Sequence, residues 1–386
     1  MIPSVLQALL LPLEEFEEIR RRAARLGDRL CDLSYANPYE GVQQSTREAM
    51  RHALEGERLL DLQYSPFGGQ TLVRRAVADD LTARHAQPYE YRDVILTPGA
   101  MAALHLGLRA LGTSGDEVLI PVPCWLDYPL YAQYLGLCPM LLPLTGTSFD
   151  LDLSSIADAI TARTCAVLLS NPANPTGRSY SREALAGLAS VLQQAERQFG
   201  RVITLISDET HRDFTERGAH HAAATLWPAT ITVYSFGKYH FIQGQRIGYL
   251  AVAPSHPQRD ALSAEIVRWT RVMGFCTPTA HMQAVVFDLL GMQHDMSLVA
   301  QRRRWVMDEL GRAGYLVTPA DATLFVYVAT PAGQDDMEFI RRLAGNGVLA
   351  LPAPVFHDRG HFRLALTGGG RMLEGGVAAL RRAVLT

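Results

Sequence analysis

The sequence predicts an α/β fold, a mainly parallel sheet covered by helices, with a smaller α+β region after it. Helix-patterned and strand-patterned segments alternate from about residue 45 to 255, the rhythm of βαβ units. The strand segments are short, continuous apolar runs, as expected of strands buried on both faces. The length allows one large unit and a smaller one, at 386 residues and 42.5 kDa.

The elements follow in order. Ile2–Leu13 is apolar, lacks a basic start and runs into Glu14-Glu15-Phe16-Glu17-Glu18, so it reads as an amphipathic helix and not a signal peptide. Thr46–Glu55 and Leu72–Ala86 read as helices, Val94–Leu96 as a strand and Ala102–Leu111 as a helix. Glu117–Pro121 and Cys165–Ser170 read as strands, Ser181–Phe199 as a helix and Val202–Ser207 as a strand. Two more β-branched and aromatic runs, about 231–236 and 248–253, read as buried strands. Arg259–Met273 is expected to be a long helix that crosses to the C-terminal region. There Arg302–Gly314 reads as a helix, and Ala322–Val328 and the segment around Arg363 as strands.

Composition excludes several classes. Hydrophobic residues make up 48% and charged residues 19%, as in an ordinary globular enzyme. A formal net charge of −3 gives no electrostatic case for nucleic acid or a membrane surface. No run approaches a membrane span. The arginine runs 20–22 and 302–304 are expected to be solvated helix faces. The five cysteines are scattered and lack Cys-x-x-Cys spacing, which reads as reduced thiols in a cytoplasmic protein, with no metal site.

Lys238 is the only lysine; the other 35 basic residues are arginine. Arginine stays charged and cannot serve as a nucleophile, whereas a deprotonated lysine amine condenses with an aldehyde to form a Schiff base. Chance retention of one lysine is the alternative, and the neighbourhood argues against it. Ser235 and Arg246 flank Lys238, and glycines at 237, 244 and 248 let the backbone approach a ligand closely. A hydroxyl and a guanidinium around a reactive amine suit a ligand with both an aldehyde and a phosphate, which is pyridoxal phosphate.

Ser235-Phe-Gly-Lys238 followed by Gly244-Gln-Arg246-Ile-Gly248-Tyr249 resembles the signature of the fold-type-I pyridoxal-phosphate enzymes, specifically the class I/II aminotransferases. Further segments match in the family's order over nearly the whole chain. The resemblance implies the fold-type-I transferase architecture, with a large cofactor-binding domain at 45–280 and a small domain from 1–44 and 281–386.

The remaining segments then take these expected roles. Gly99-Ala100-Met101 joins a strand to a helix start, where amides and dipole bind phosphate; an ordinary tight turn is the other reading. Trp125 stacks on the cofactor ring or serves as a core tryptophan. In Asn171-Pro-Ala-Asn174-Pro175, the resemblance places a hydrogen bond to the ring's phenolic oxygen on Asn174; a structural turn is the alternative. Asp208, at a strand end, would pair with the pyridine nitrogen. His211 stands where the family has a tyrosine, and can titrate as well as hydrogen-bond.

Tyr64 resembles the residue that reaches the neighbouring subunit's phosphate, which implies a homodimer with shared sites. Arg363 resembles the arginine that clamps the substrate α-carboxylate. Ala36 stands at a usual glycine in the substrate loop, and with Asn174 belongs to the expected substrate side. The expected activity is transfer of an α-amino group from an amino acid to a keto acid, with Lys238, Asp208 and His211 catalytic. His211 and Ala36 motivate an alternative, namely elimination, replacement, cyclisation or oxidation of an amino acid on the same scaffold. A ligand-sensing transcription regulator is disfavoured, because no DNA-binding head precedes the fold and the charge is not basic.

Overall fold

The structure is a computed structural model that describes residues 4–39, 42–55, 63–144, 146–215 and 220–384. Its centre is a seven-stranded sheet in the order Val94–Thr97, Gly248–Val252, Thr230–Ser235, Thr204–Asp208, Thr164–Ser170, Glu117–Val122, Cys138–Pro143. All neighbouring pairs are parallel except those made by Gly248–Val252, which runs against both of its neighbours. The short connection 236–247 accounts for this reversal, because it contains one helical turn and no full crossover helix.

Alternate residues of each strand enter opposite cores. Val118, Ile120, Leu168, Ile206, Val233 and Leu250 face one side, where the helices Ala100–Leu111 and Arg259–Val272 pack. Leu119, Val167, Leu169 and Leu205 face the other, under Arg182–Phe199. This two-sided burial explains why the strands read as continuous apolar runs.

The edge strand Cys138–Pro143 escaped the sequence reading. It carries prolines at 139 and 143 and is half exposed, a composition tolerated only at a sheet edge. Helix Arg259–Val272 does not cross to the C-terminal region as expected. It packs on Ala100–Leu111, and the next helix, Ala280–Gly291, packs on Gln44–Glu55; the chain crosses only after Gly291.

Beyond that crossing, an antiparallel sheet of Leu351–Pro352, His361–Ala365 and Phe325–Ala329 forms a second core. Helices Ser297–Arg312, Asp336–Gly345 and Gly370–Ala383 cover it. Phe16, Ile19 and Ala23 of the N-terminal helix Ser4–Ala23 join this core, and Cys31–Asp32 pairs with Val348–Leu349. The arginine run 302–304 is not wholly solvated. Arg303 is buried and donates to the carbonyls of Thr323 at 3.0 Å and Asp321 at 2.9 Å, so it pins the turn that enters Phe325–Ala329. All five cysteines are free.

Candidate active site

The site lies at the carboxyl ends of the parallel strands, where open α/β sheets bind ligands. Strand Thr230–Ser235 ends at Ser235, whose Oγ accepts from the Gly237 N–H at 3.3 Å and caps the single turn Phe236–Tyr239. Gly237 packs closely there: a Cβ would stand 3.0 Å from the Gln243 Cα. The turn presents Lys238 half-buried. Burial, then Arg363 and Arg246, lowers its amine to about 8, against an opposing pull from Asp208. A fraction of the amine is therefore neutral and nucleophilic near physiological pH.

On one side of Lys238 is a cradle for an anion. Ser235 pairs with Gly248 across the sheet, and a Cβ on Gly248 would approach the Gly99 backbone to 3.1 Å. Gly99 has φ 81° and precedes helix Ala100–Leu111, whose N-terminus has no side-chain cap. The Arg246 guanidinium closes the cradle. It donates to the Gln243 and Pro98 carbonyls at 2.9 and 3.4 Å, and a Cβ on Gly99 would come within 2.7 Å of its Nη2. An uncapped helix start, a hydroxyl and a guanidinium in neighbouring segments can hold an anion. The Met101 side chain is exposed.

Asp208 ends strand Thr204–Asp208 and is buried. Its Oδ2 accepts from the Tyr128 hydroxyl at 2.7 Å and its Oδ1 from the Thr210 N–H at 3.0 Å. Burial raises its pKa, and the Thr210 and Tyr128 hydrogen bonds act against that. His211, 3% exposed, follows at once. Its ring meets Phe325 edge-on at 5.4 Å, and its Nδ1 is buried without a partner. Burial, then Lys238 and Arg363, drives it well below the usual histidine range, so the imidazole is neutral.

The two asparagines of the Asn-Pro pair do different work. Asn171 ties the turn together, accepting from the Tyr180 N–H and donating to the His221 carbonyl. Asn174 points to Arg363: its Oδ1 accepts from Arg363 Nη1 at 2.8 Å. Both Asn–Pro peptides are cis. Arg363 is 1% exposed, donates from Nη2 to the Ser34 carbonyl at 2.9 Å and sits over the Phe325 and Phe356 rings at 4.0 and 4.8 Å. Burial lowers it to about 9, still cationic at neutral pH, and its Nε has no partner.

Trp125 is half-buried between the two main cores. Ala36 is buried and its carbonyl accepts from Gln243 Nε2 at 3.1 Å, which ties the substrate-loop segment to the connection after Lys238. Tyr64 stands apart, fully exposed on the segment before helix Thr71–His85. Tyr128, Ser34, Thr210 and Phe325 were not singled out from sequence. Tyr128 lies only three residues after Trp125, yet nothing local distinguishes it from a core aromatic.

Lys238 thus has Arg363, Arg246 and the buried Asp208 as its charged neighbours. The chain belongs to the aminotransferase class I and II family, whose model matches residues 30–380, and it is an amino-acid aminotransferase. It is 28% identical over 368 residues to a probable aspartate/prephenate aminotransferase of Thermus aquaticus, covering 92% of this chain and 91% of that one. It is 25% identical to a probable aspartate aminotransferase of Methanocaldococcus jannaschii, covering 83% and 85%. An aminotransferase crystal structure from Eubacterium rectale superimposes with a TM-score of 0.90 at 23% identity, covering 99% and 98%. The Thermus thermophilus aspartate aminotransferase with maleate gives 0.86 at 23%, covering 99% of each chain. These structural likenesses speak to the fold.

Proposed function

We propose that the chain holds pyridoxal phosphate on Lys238 and uses it to move the α-amino group of an amino acid onto a keto acid. The observation that carries this reading is the amine lowered to about 8 with Arg246, Asp208 and Arg363 all close enough to act on it. The donor set fits the cofactor. The uncapped helix start at Gly99-Ala100-Met101, with Ser235 and Arg246, matches a phosphate. Asp208 matches a basic ring nitrogen. The unpartnered Nδ1 of His211 and the amide of Asn174 match a ring oxygen, and the flat Trp125 matches a flat ring.

When bound, the cofactor supplies an electron-withdrawing ring that acidifies the amino acid's α-proton. Asp208 keeps a proton on the ring nitrogen. Arg363, held by Asn174 and Ser34, offers its Nε and outer edge to the α-carboxylate. Lys238 Nζ takes the α-proton and returns it, a general-base role for which its lowered pKa suits it. His211 is a neutral hydrogen-bonding group. Ala36 borders the substrate side. In this reading the enzyme is a cytoplasmic homodimer in which Tyr64 serves the neighbouring subunit's phosphate.

Borohydride reduction and peptide mapping test the reading; the adduct is expected on Lys238, and its absence defeats the proposal. A panel of amino acids with mass-spectrometric detection then identifies the substrate. Aspartate and prephenate head that panel, because the matched relatives carry their names.

A further inference from the structure

The two residues that follow Lys238 are both bonded to His294. The Tyr239 hydroxyl accepts from the His294 N–H at 2.8 Å and donates to the His294 carbonyl at 3.4 Å. Nδ1 of His240 and Nε2 of His294 are 2.9 Å apart. Both rings are buried, and the His240 ring also stacks on Phe236. Burial, then His294, lowers His240 to about 3 against a pull from Asp213, and burial lowers His294. Both imidazoles are therefore neutral at working pH, so one can donate to the other.

His294 lies in the connection between helices Ala280–Gly291 and Ser297–Arg312, where the chain passes from the seven-stranded sheet to the three-stranded one. Met296 of that connection and Phe241, next to His240, pack on one cluster with Ala36, Phe325 and Ala365. The Arg363 guanidinium sits on the Phe325 ring. The connection thus touches the lysine turn through His294 and the support of Arg363 through Met296.

We propose that His294 is a positioning residue for Lys238, locking the lysine turn to the connection between the two sheets so that the amine keeps its depth and its place beside Arg363. This inference rests on the reading above that Lys238 is the reactive amine. The turn needs an outside hold, because Phe236–Tyr239 is four residues long and a helix that short does not stand alone. Its side-chain cap at Ser235 fixes only the end nearer the sheet. Arg363 belongs to the other sheet, so its separation from Lys238 depends on what ties the turn across. A loosened turn would admit water to the amine and draw it away from Arg363, and both changes raise its pKa.

Lys238 is the only lysine, so its amine can be read alone. The full chain, stripped of cofactor, is labelled with trace acetic anhydride across a pH series, and peptide mapping separates Lys238 from the N-terminal amine. A merely structural role would leave the labelling midpoint in place. In His294→Phe the midpoint is expected to rise by about one pH unit, and in His240→Phe likewise. The double variant is expected to match either single one, because both remove the same bond. A folded His294→Phe chain with the wild-type midpoint overturns the inference.

Should His294→Phe fail to fold, His294→Gln and His294→Asn decide. The glutamine amide reaches the place of Nε2, whereas the asparagine amide reaches only that of Nδ1. Glutamine is expected to keep the midpoint at about 8 and asparagine to raise it; equal midpoints overturn the proposal. A borohydride adduct absent from Lys238 would defeat the underlying reading. An adduct present with a midpoint indifferent to His294 defeats this inference alone.

Discussion

Arg363 and Asn174 are 189 residues apart in sequence, yet they share a buried hydrogen bond of 2.8 Å. Arg363 belongs to the three-stranded sheet, and Asn174 to the turn after a strand of the seven-stranded sheet. A guanidinium that bonds across two sheets, stacked on Phe325 and Phe356, is held ready for a carboxylate.

Arg363→Ala should therefore weaken substrate binding by about 2–5 kcal/mol, the cost of breaking a buried charge pair. Arg363→Lys should recover little, because an ammonium cannot reproduce the planar fork. Steady-state kinetics check this; an unchanged KM removes Arg363 from the site.

Uptake of pyridoxal phosphate by cofactor-free enzyme should accelerate as pH rises, with a midpoint near about 8. Only the neutral amine condenses, and burial beside Arg363 and Arg246 shifts Lys238 down to that value. Stopped-flow absorbance measures the rate. A midpoint near the ordinary lysine range would mean that the amine is not perturbed. Lys238→Ala should bind the cofactor without the covalent absorbance band.

Asp208→Asn should reduce kcat at least a hundredfold, because the ring loses its anionic partner. The same change should stabilise the cofactor-free protein at high pH. The folded-state pKa of Asp208 is raised, so its favourable contribution is complete below the unfolded value of about 3.9 and is lost as pH rises through the folded pKa. The melting temperature of Asp208→Asn relative to wild type should hence grow from pH 4 to pH 8. A difference that does not depend on pH would contradict the burial argument.

His211→Phe should raise the pH midpoint of the bound cofactor's absorbance change, because a hydrogen bond to the ring oxygen favours the deprotonated form. His211 is itself neutral throughout that range, so its own ionisation does not complicate the titration. An unshifted midpoint would make it a packing residue.

The sheet of mainly parallel strands covered by helices was legible in the sequence, because strands buried on both faces read as continuous apolar runs. Lys238, Asp208, Asn174, Gly99 and Arg246 sit at strand ends or helix starts, and local residue types mark such places. Tyr128 was illegible because its partner lies 80 residues away and its own neighbours are all core-like. Arg303 read as a solvated residue because a helix-patterned arginine run looks alike whether or not carbonyls 18 and 20 residues on receive it. The direction of Gly248–Val252 was equally hidden, since apolar alternation is the same forwards and backwards. Cys138–Pro143 was lost to its prolines, which only its edge position excuses.

The contact of Gly248 with Gly99 sets a limit on how this enzyme could change. A methyl group on Gly248 would clash with the Tyr234 carbonyl oxygen and meet the Gly99 backbone at 3.1 Å, and cross-strand register places Ser235 beside it. Sheet register moves only in whole-residue steps, and one step would turn every side chain of a strand to the opposite core. The size of the anion cradle is thus fixed by the sheet and cannot drift by small increments. New substrates must instead be accommodated by segments free of that register, such as the stretch around Ala36, which is held through main-chain carbonyls, Ala36 by Gln243 and Ser34 by Arg363.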